Sequence, residues 1–184
     1  MQNGELQKLK KTVEGVYLLE DPYIVELMAA SVITHRLNSD PAWIIIVAPS
    51  GGAKSEFVNA LSKCKGVHPL STLTSHTFIS GQKKTGQETS LLFKIQNGIL
   101  TFKDFTSLLS ENKDDRAVIM AQLREIYDGK LHKAFGTGED IEWTGKITVI
   151  AGATYAIHTL KQSYSAMGER FLMYSMLQPD RKEA

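Results

Sequence analysis

Trp43 is followed by four consecutive aliphatic residues, Ile44 to Val47, which run directly into Ala48-Pro49-Ser50-Gly51-Gly52-Ala53-Lys54-Ser55; Glu56 to Leu61 is then amphipathic. An unbroken apolar run of this kind suits a strand buried on both faces, and the small residues after it suit a turn. The order is therefore strand, phosphate loop, helix. In such a loop backbone N–H groups wrap the phosphates and the helix N-terminus adds positive potential. A lysine reaches the outer phosphates and a hydroxyl holds Mg²⁺. Lys54 and Ser55 are the candidates for these last two roles, with Pro49, Ser50, Gly51, Gly52 and Ala53 as the cradle. The eight-residue pattern has glycine at both ends, whereas this chain has Ala48 and Ala53 there. Ala48 is the milder change, because it sits where the strand ends. Ala53 lies where backbone meets phosphate, so its Cβ either forces a shift or weakens binding. The alternative is an ordinary buried strand and a Pro-Ser-Gly-Gly turn with a chance Lys-Ser.

At 184 residues the chain suits one well-packed domain, and 42% hydrophobic with 22% charged residues is a soluble globular composition. A formal net charge of +1 exerts no global pull toward nucleic acid or membrane, so such contacts need a local patch. The single cysteine, Cys64, cannot form an internal disulfide and fits a small helix-end role in a reducing cytoplasm. No apolar run reaches the ~20 residues of a membrane span, and the N-terminus lacks an apolar signal core. The expected location is cytoplasmic, with no membrane partner.

Residues 1–20 read as a loosely helical arm, 21–177 as the core and 178–184 as a polar tail. Asp21-Pro22 predicts a helix start, with Ile24, Val25, Met28, Ala29, Val32 and Ile33 on its apolar side and an end near Leu37. Val67 to Ile79 alternates enough for one or two short strands. Ser80 to Gln87 is a polar loop whose Lys83 and Lys84 are candidates for a polyanion contact or simply a surface loop. Ser90 to Ile95 suggests a short helix. The strand Ile99 to Asp104 ends in an acid, where a nucleotide-binding sheet places the carboxylate that orders Mg²⁺ through water. Asp104 is that candidate. A hydrolase commonly has glutamate in the next position, here Phe105, so either another acid serves or hydrolysis is slow. Glu125 is the nearest alternative by context, or else a solvated helix acid.

Asn112 or Asp114 can cap a helix closing at Asp128-Gly129. Leu131 to Phe135, a glycine-rich tip and Ile141 to Trp143 then read as a β-hairpin, and Lys146 to Gly152 as another buried strand. A helix over Tyr155 to Tyr164 and a hydrophobic strand from Leu172 to Leu177 complete the core. The five histidines share no metal spacing with one another or with Cys64.

In this order the elements resemble the AAA+ ATPases, in the branch with a β-hairpin inserted before the sensor-1 strand. Ala48 to Ser55 looks like Walker A and Gly98 to Asp104 like Walker B. Ala121 to Gly129, continuing through Phe135 and Trp143, is similar to that branch's helix and hairpin. Ile147 to Thr154 resembles the sensor-1 strand with Thr154 at the polar position, and Gly168-Glu169-Arg170-Phe171 the arginine-finger segment. Coverage is about residues 22–177, with a fainter likeness to uncharacterised ATPases of bacteriophages and mobile elements. The resemblance implies a P-loop NTPase fold, a three-layer α/β/α core with a central, mostly parallel sheet and an inserted hairpin. It also implies ATP and Mg²⁺ as ligands. Ser55 and Asp104 would hold the metal, and Asp104, Thr154 and Arg170 would be catalytic, Arg170 acting in trans. No C-terminal helical lid is expected.

The function expected is that of an ATP hydrolase working as a homo-oligomeric ring or filament, a motor or loader on DNA or on a replication or recombination partner. The alternative is a nucleotide-binding assembly module with little or no hydrolysis, to which Ala53 and Phe105 both point. A small-molecule kinase would need an acceptor pocket and a basic lid, and neither is legible. Lys83, Lys84, Lys130 and Lys133 are the local basic candidates for nucleic acid, although the hairpin tip carries Glu139 and Asp140.

Overall fold

In the computed structural model, which describes residues 3–17, 22–79, 83–84, 87–88, 90–134, 140–160 and 170–177, the apolar run Trp43–Val47 forms strand β1, buried at all five positions. It lies inside a five-stranded sheet with β2 (Val67–Leu70), β5 (Gly98–Phe102), β8 (Ile147–Ala153) and β9 (Phe171–Ser175), in the order β2-β5-β8-β1-β9. Every pairing in this sheet is parallel. Parallel strands need covered faces, and the burial of all residues in β1, β5 and β8 follows from that.

Successive side chains on these strands feed two different cores. Trp43, Ile45 and Val47 join Val149, Ala151 and Leu100 on one face, beneath α5 (Lys113–Tyr127) and the hairpin of β6 (Lys130–Ala134) and β7 (Asp140–Thr144). Ile44 and Ile46 join Ile150 and Ile99 on the other, beneath α2 (Tyr23–His35) and α3 (Lys54–Leu61). The fold is thus α/β, with helices on both faces of a parallel sheet. Trp43 pins β1 to β8 from the side, its indole N–H donating to the Ile147 carbonyl at 2.7 Å. A buried bond of this kind contributes about 1 kcal/mol.

Several boundaries differ from those expected. Over 67–79, where one or two short strands were expected, there is one, β2. Beyond it Thr74 N–H donates to Thr77 Oγ1 at 2.7 Å and Thr77 N–H to the Thr74 carbonyl at 3.0 Å, a local turn that competes with a ladder. Leu73, Phe78 and Ile79 are nonetheless buried, so the alternation marks anchors of a loop. Helix α2 stops at His35, and Lys146 Nζ donates to the Thr34 and Leu37 carbonyls, satisfying acceptors that a further turn would have used. Pro22 stands at the N-cap of α2, while Asp21 lies outside the described residues. Where a polar loop was expected over 80–87, Lys83–Lys84 (β3) pairs antiparallel with Gln87–Glu88 (β4). Between them and β5 comes the short helix α4 (Leu91–Ile95). Asn112 caps α5, accepting from Asp115 N–H at 2.9 Å. The segment after β8 is a 3₁₀ helix, Tyr155–Leu160, rather than an α-helix, and the rest of that expectation falls outside the described residues. The arm is α1 (Asn3–Glu14), tied to α2 by a Lys10–Glu26 ion pair at 2.6 Å.

Candidate nucleotide site

The carboxyl ends of β1, β5 and β8 meet at one edge of the sheet, and residues 48–55 leave β1 there. β1 is flanked by β8 and β9, although the chain first runs from β1 to the far edge strand β2. Such a reversal of strand order is where open α/β sheets leave a crevice for ligands.

Ala48 is fully buried and its N–H donates to the Ala153 carbonyl at 3.1 Å, so the loop leaves the sheet still attached to β8. Gly52 N–H then donates to the Pro49 carbonyl at 3.0 Å, and Gly51 turns the chain at φ 78°. Ala53 also sits in the left-handed region, at φ 57° and ψ −2°, and occupies the N-cap of α3. Alanine has no side-chain acceptor, so no side chain caps this helix. The first-turn amides of a helix have no acceptor of their own within it. At α3 the Glu56 amide donates to the Ala53 carbonyl at 2.9 Å, which leaves the Lys54 and Ser55 amides without an acceptor inside the helix.

Lys54 is 7% exposed, and its ammonium donates to the Pro49 carbonyl at 3.1 Å. Its stem runs beside Gly152 of β8. A Cβ built on Gly152 would lie 2.7 Å from the Lys103 carbonyl oxygen and 3.5 Å from Lys54 Cγ. Loop, β8 and the end of β5 therefore close on one another at a point where only glycine fits. Ser55 follows in the first turn of α3, half-buried.

Asp104 is exposed immediately beyond β5. Its carboxylate accepts from Thr106 N–H at 2.9 Å and caps the 3₁₀ helix Phe105–Ser110. Thr106 Oγ1 accepts from Thr154 N–H at 2.8 Å and lies 3.3 Å from Thr154 Oγ1. Asp104 and Thr154, expected at this edge, are thus joined through a residue that sequence reasoning missed. Its available signal was the Asp-Phe-Thr order, an acid capping the amide two residues on. Gly152 was missed too, although a glycine inside an apolar strand commonly marks close backbone approach. Phe105 is 1% exposed, with its ring 5.7 Å from Phe102 and 5.5 Å from Phe171. The position after the acid is a core position. Glu125 is exposed on α5.

Arg170 is placed elsewhere. It precedes β9, whose Phe171 pairs with Trp43 at the start of β1, so it lies at the opposite edge of the sheet from the loop. Its guanidinium grips Asp128, Nε at 3.2 Å and one terminal nitrogen at 3.0 Å from each carboxylate oxygen, and stacks 5.5 Å from the Tyr127 ring centre. Burial, with Asp40 adding to it, holds the Tyr127 phenol above its ordinary pKa. Gly168 and Glu169 lie outside the described residues.

The four lysines lie on two different strands. Lys83 and Lys84 belong to a two-stranded sheet separate from that of Lys130 and Lys133. Lys130 and Lys133, three apart on β6, fall on opposite faces of their strand. The hairpin tip, 135–139, lies outside the described residues.

Among the described residues no group of three or more His, Cys, Asp or Glu could hold a metal ion. A Mg²⁺ ion bound to nucleotide needs less, because it keeps several waters and takes one or two protein oxygens. Ser55 and Asp104 fit that sparse donor set. Among the described residues no helix is long and apolar enough to cross a membrane. The sequence matches no model of a known protein family and no curated protein.

Proposed function

We propose that this chain is a phosphate-loop module of the AAA+ type that binds ATP with Mg²⁺ and acts as a homo-oligomeric ring or filament on DNA or on a replication or recombination partner. The uncapped N-terminus of α3, set beside Lys54 at the point where strand order reverses, carries this reading. Backbone amides there are aimed at an anion, and Lys54 would exchange the Pro49 carbonyl for the outer phosphates. Ser55 and Asp104 would hold the metal, which neutralises phosphate charge when bound. Thr154, steadied by Thr106, would orient the γ-phosphate or the attacking water. Arg170 stands at the far edge of its own sheet and can serve only a neighbour's site, after giving up Asp128.

The test is turnover as a function of protein concentration. ATP hydrolysis should rise with assembly, and Arg170→Ala should lower it by about 10³-fold while leaving ATP binding intact. Mixing Arg170→Ala with Lys54→Ala should restore part of the activity, since each supplies what the other lacks. Turnover independent of concentration, or unmoved by Arg170→Ala, contradicts the motor.

The burial of Phe105 favours a second reading, an assembly module that binds nucleotide with little hydrolysis. A carboxylate at position 105, next to Asp104, would displace core. ATP-dependent assembly with no phosphate release is the outcome that selects it.

A further inference from the structure

At the edge of the sheet opposite the phosphate loop, a hollow of about 370 Å³ opens between the C-terminal ends of α2 and α3 and the starts of β2 and β5. Its volume is in the range of small-molecule sites. Val32, Leu61, Val67 and Ile99 supply an aliphatic wall, while Arg36 and Lys65 line it as exposed cations. No Asp or Glu lines it, and neither cation is paired with an acid among the described residues.

Basic residues often gather at helix C-termini to offset the carbonyl end of the dipole. At α2 that task is already met by Lys146, whose ammonium takes the Thr34 and Leu37 carbonyls at 2.8 Å each. Arg36 is therefore surplus positive charge over an apolar floor, and Lys65, beyond the end of α3, adds to it. His35, on the same wall, senses it: after burial, Lys146 and Arg36 are what hold its imidazole below the ordinary pKa.

We infer that this hollow binds a small amphipathic anion, an aliphatic body seated on Val32, Leu61, Val67 and Ile99 with a carboxylate facing Arg36 and Lys65. The site lies away from the phosphate loop and does not depend on nucleotide binding. Apolar contact supplies affinity and the two cations choose the head group, so a ligand of the same body and opposite charge is rejected.

Cys64, the only cysteine of the chain, is exposed and lines the hollow, which makes it an internal reporter. The experiment follows its alkylation by iodoacetamide, a small neutral reagent, in the full chain with octanoate or octylammonium as probe. At ten times its dissociation constant octanoate should slow alkylation about tenfold, saturably. Octylammonium should leave the rate unchanged. The exposed double variant Arg36→Glu/Lys65→Glu, its fold checked by circular dichroism, should lose the protection by octanoate. Absence of protection in the original chain, equal protection by octylammonium, or protection persisting in the double variant would each overturn the inference.

Discussion

Ala53 is where the loop's chemistry and its conformation disagree. The backbone there is left-handed, at φ 57°, which costs an L-residue on the order of 1–2 kcal/mol. Glycine removes that strain, though it enlarges the entropy of the unfolded chain and gives part of the gain back. Ala53→Gly should therefore stabilise the protein by about 1 kcal/mol, read as a higher urea midpoint at unchanged slope. A lower midpoint would contradict a left-handed backbone at Ala53. Phe105 poses the converse case. Read along the sequence, it is a missing glutamate; in the fold it is a packed ring between Phe102 and Phe171. Phe105→Glu should not raise hydrolysis. It should cost ~4 kcal/mol, through the lost ring and a carboxylate forced into the core, and destabilise the chain in urea. An active, stable Phe105→Glu enzyme would contradict the placement of that ring.

At the scale of elements, the central strands of the parallel sheet were legible because their signals are local. Trp43–Val47 and Ile147–Ala153 are unbroken apolar runs, and a parallel sheet buries such runs at every position. The turn at 74–77, the early stop of α2 and the 3₁₀ segment after β8 were not legible. Each depends on a partner outside its own periodicity, as when Lys146 reaches the end of α2 from more than a hundred residues away. The Thr106–Thr154 link belongs to the same class, since it joins the ends of two strands that only the sheet makes neighbours. Arg170 was legible as a candidate from its segment. Its ion pair with Asp128 at the C-cap of α5 was not, because nothing in either stretch names the other.

The junction of α2 with β8 also carries a pH dependence. His35 Nδ1 lies 3.0 Å from Thr148 Oγ1, and burial first, then Lys146 and Arg36, hold the imidazole below the ordinary pKa of 6.5. The folded state thus binds this proton less readily than the unfolded state. The stability His35 contributes is fully present above about pH 6.5 and is lost as pH falls through and below that value. Urea midpoints should decline on acidification, and His35→Gln should flatten that part of the profile. A midpoint in the original chain that rises as pH falls from 7 to 5 would contradict the neutral, half-buried imidazole.

For the molecule as a whole, two edges of one sheet have different characters. The carboxyl edge gathers Lys54, Ser55, Asp104 and Thr154 around helix amides that no side chain caps, while the amino edge holds Arg170, the aliphatic hollow and its cations. If the carboxyl edge receives phosphates, an arginine at the far edge can reach them only across a subunit boundary, so assembly and turnover are linked by geometry. The nucleotide itself is the premise on which that linkage rests. Calorimetric titration of ATP with Mg²⁺ into the purified chain, beside the same titration of Ala53→Gly and Lys54→Ala, tests it most directly. Binding should be saturable in the micromolar range, about 8 kcal/mol of binding free energy, strengthened by Ala53→Gly and lost with Lys54→Ala. Heats that stay flat in both the original chain and Ala53→Gly would contradict it.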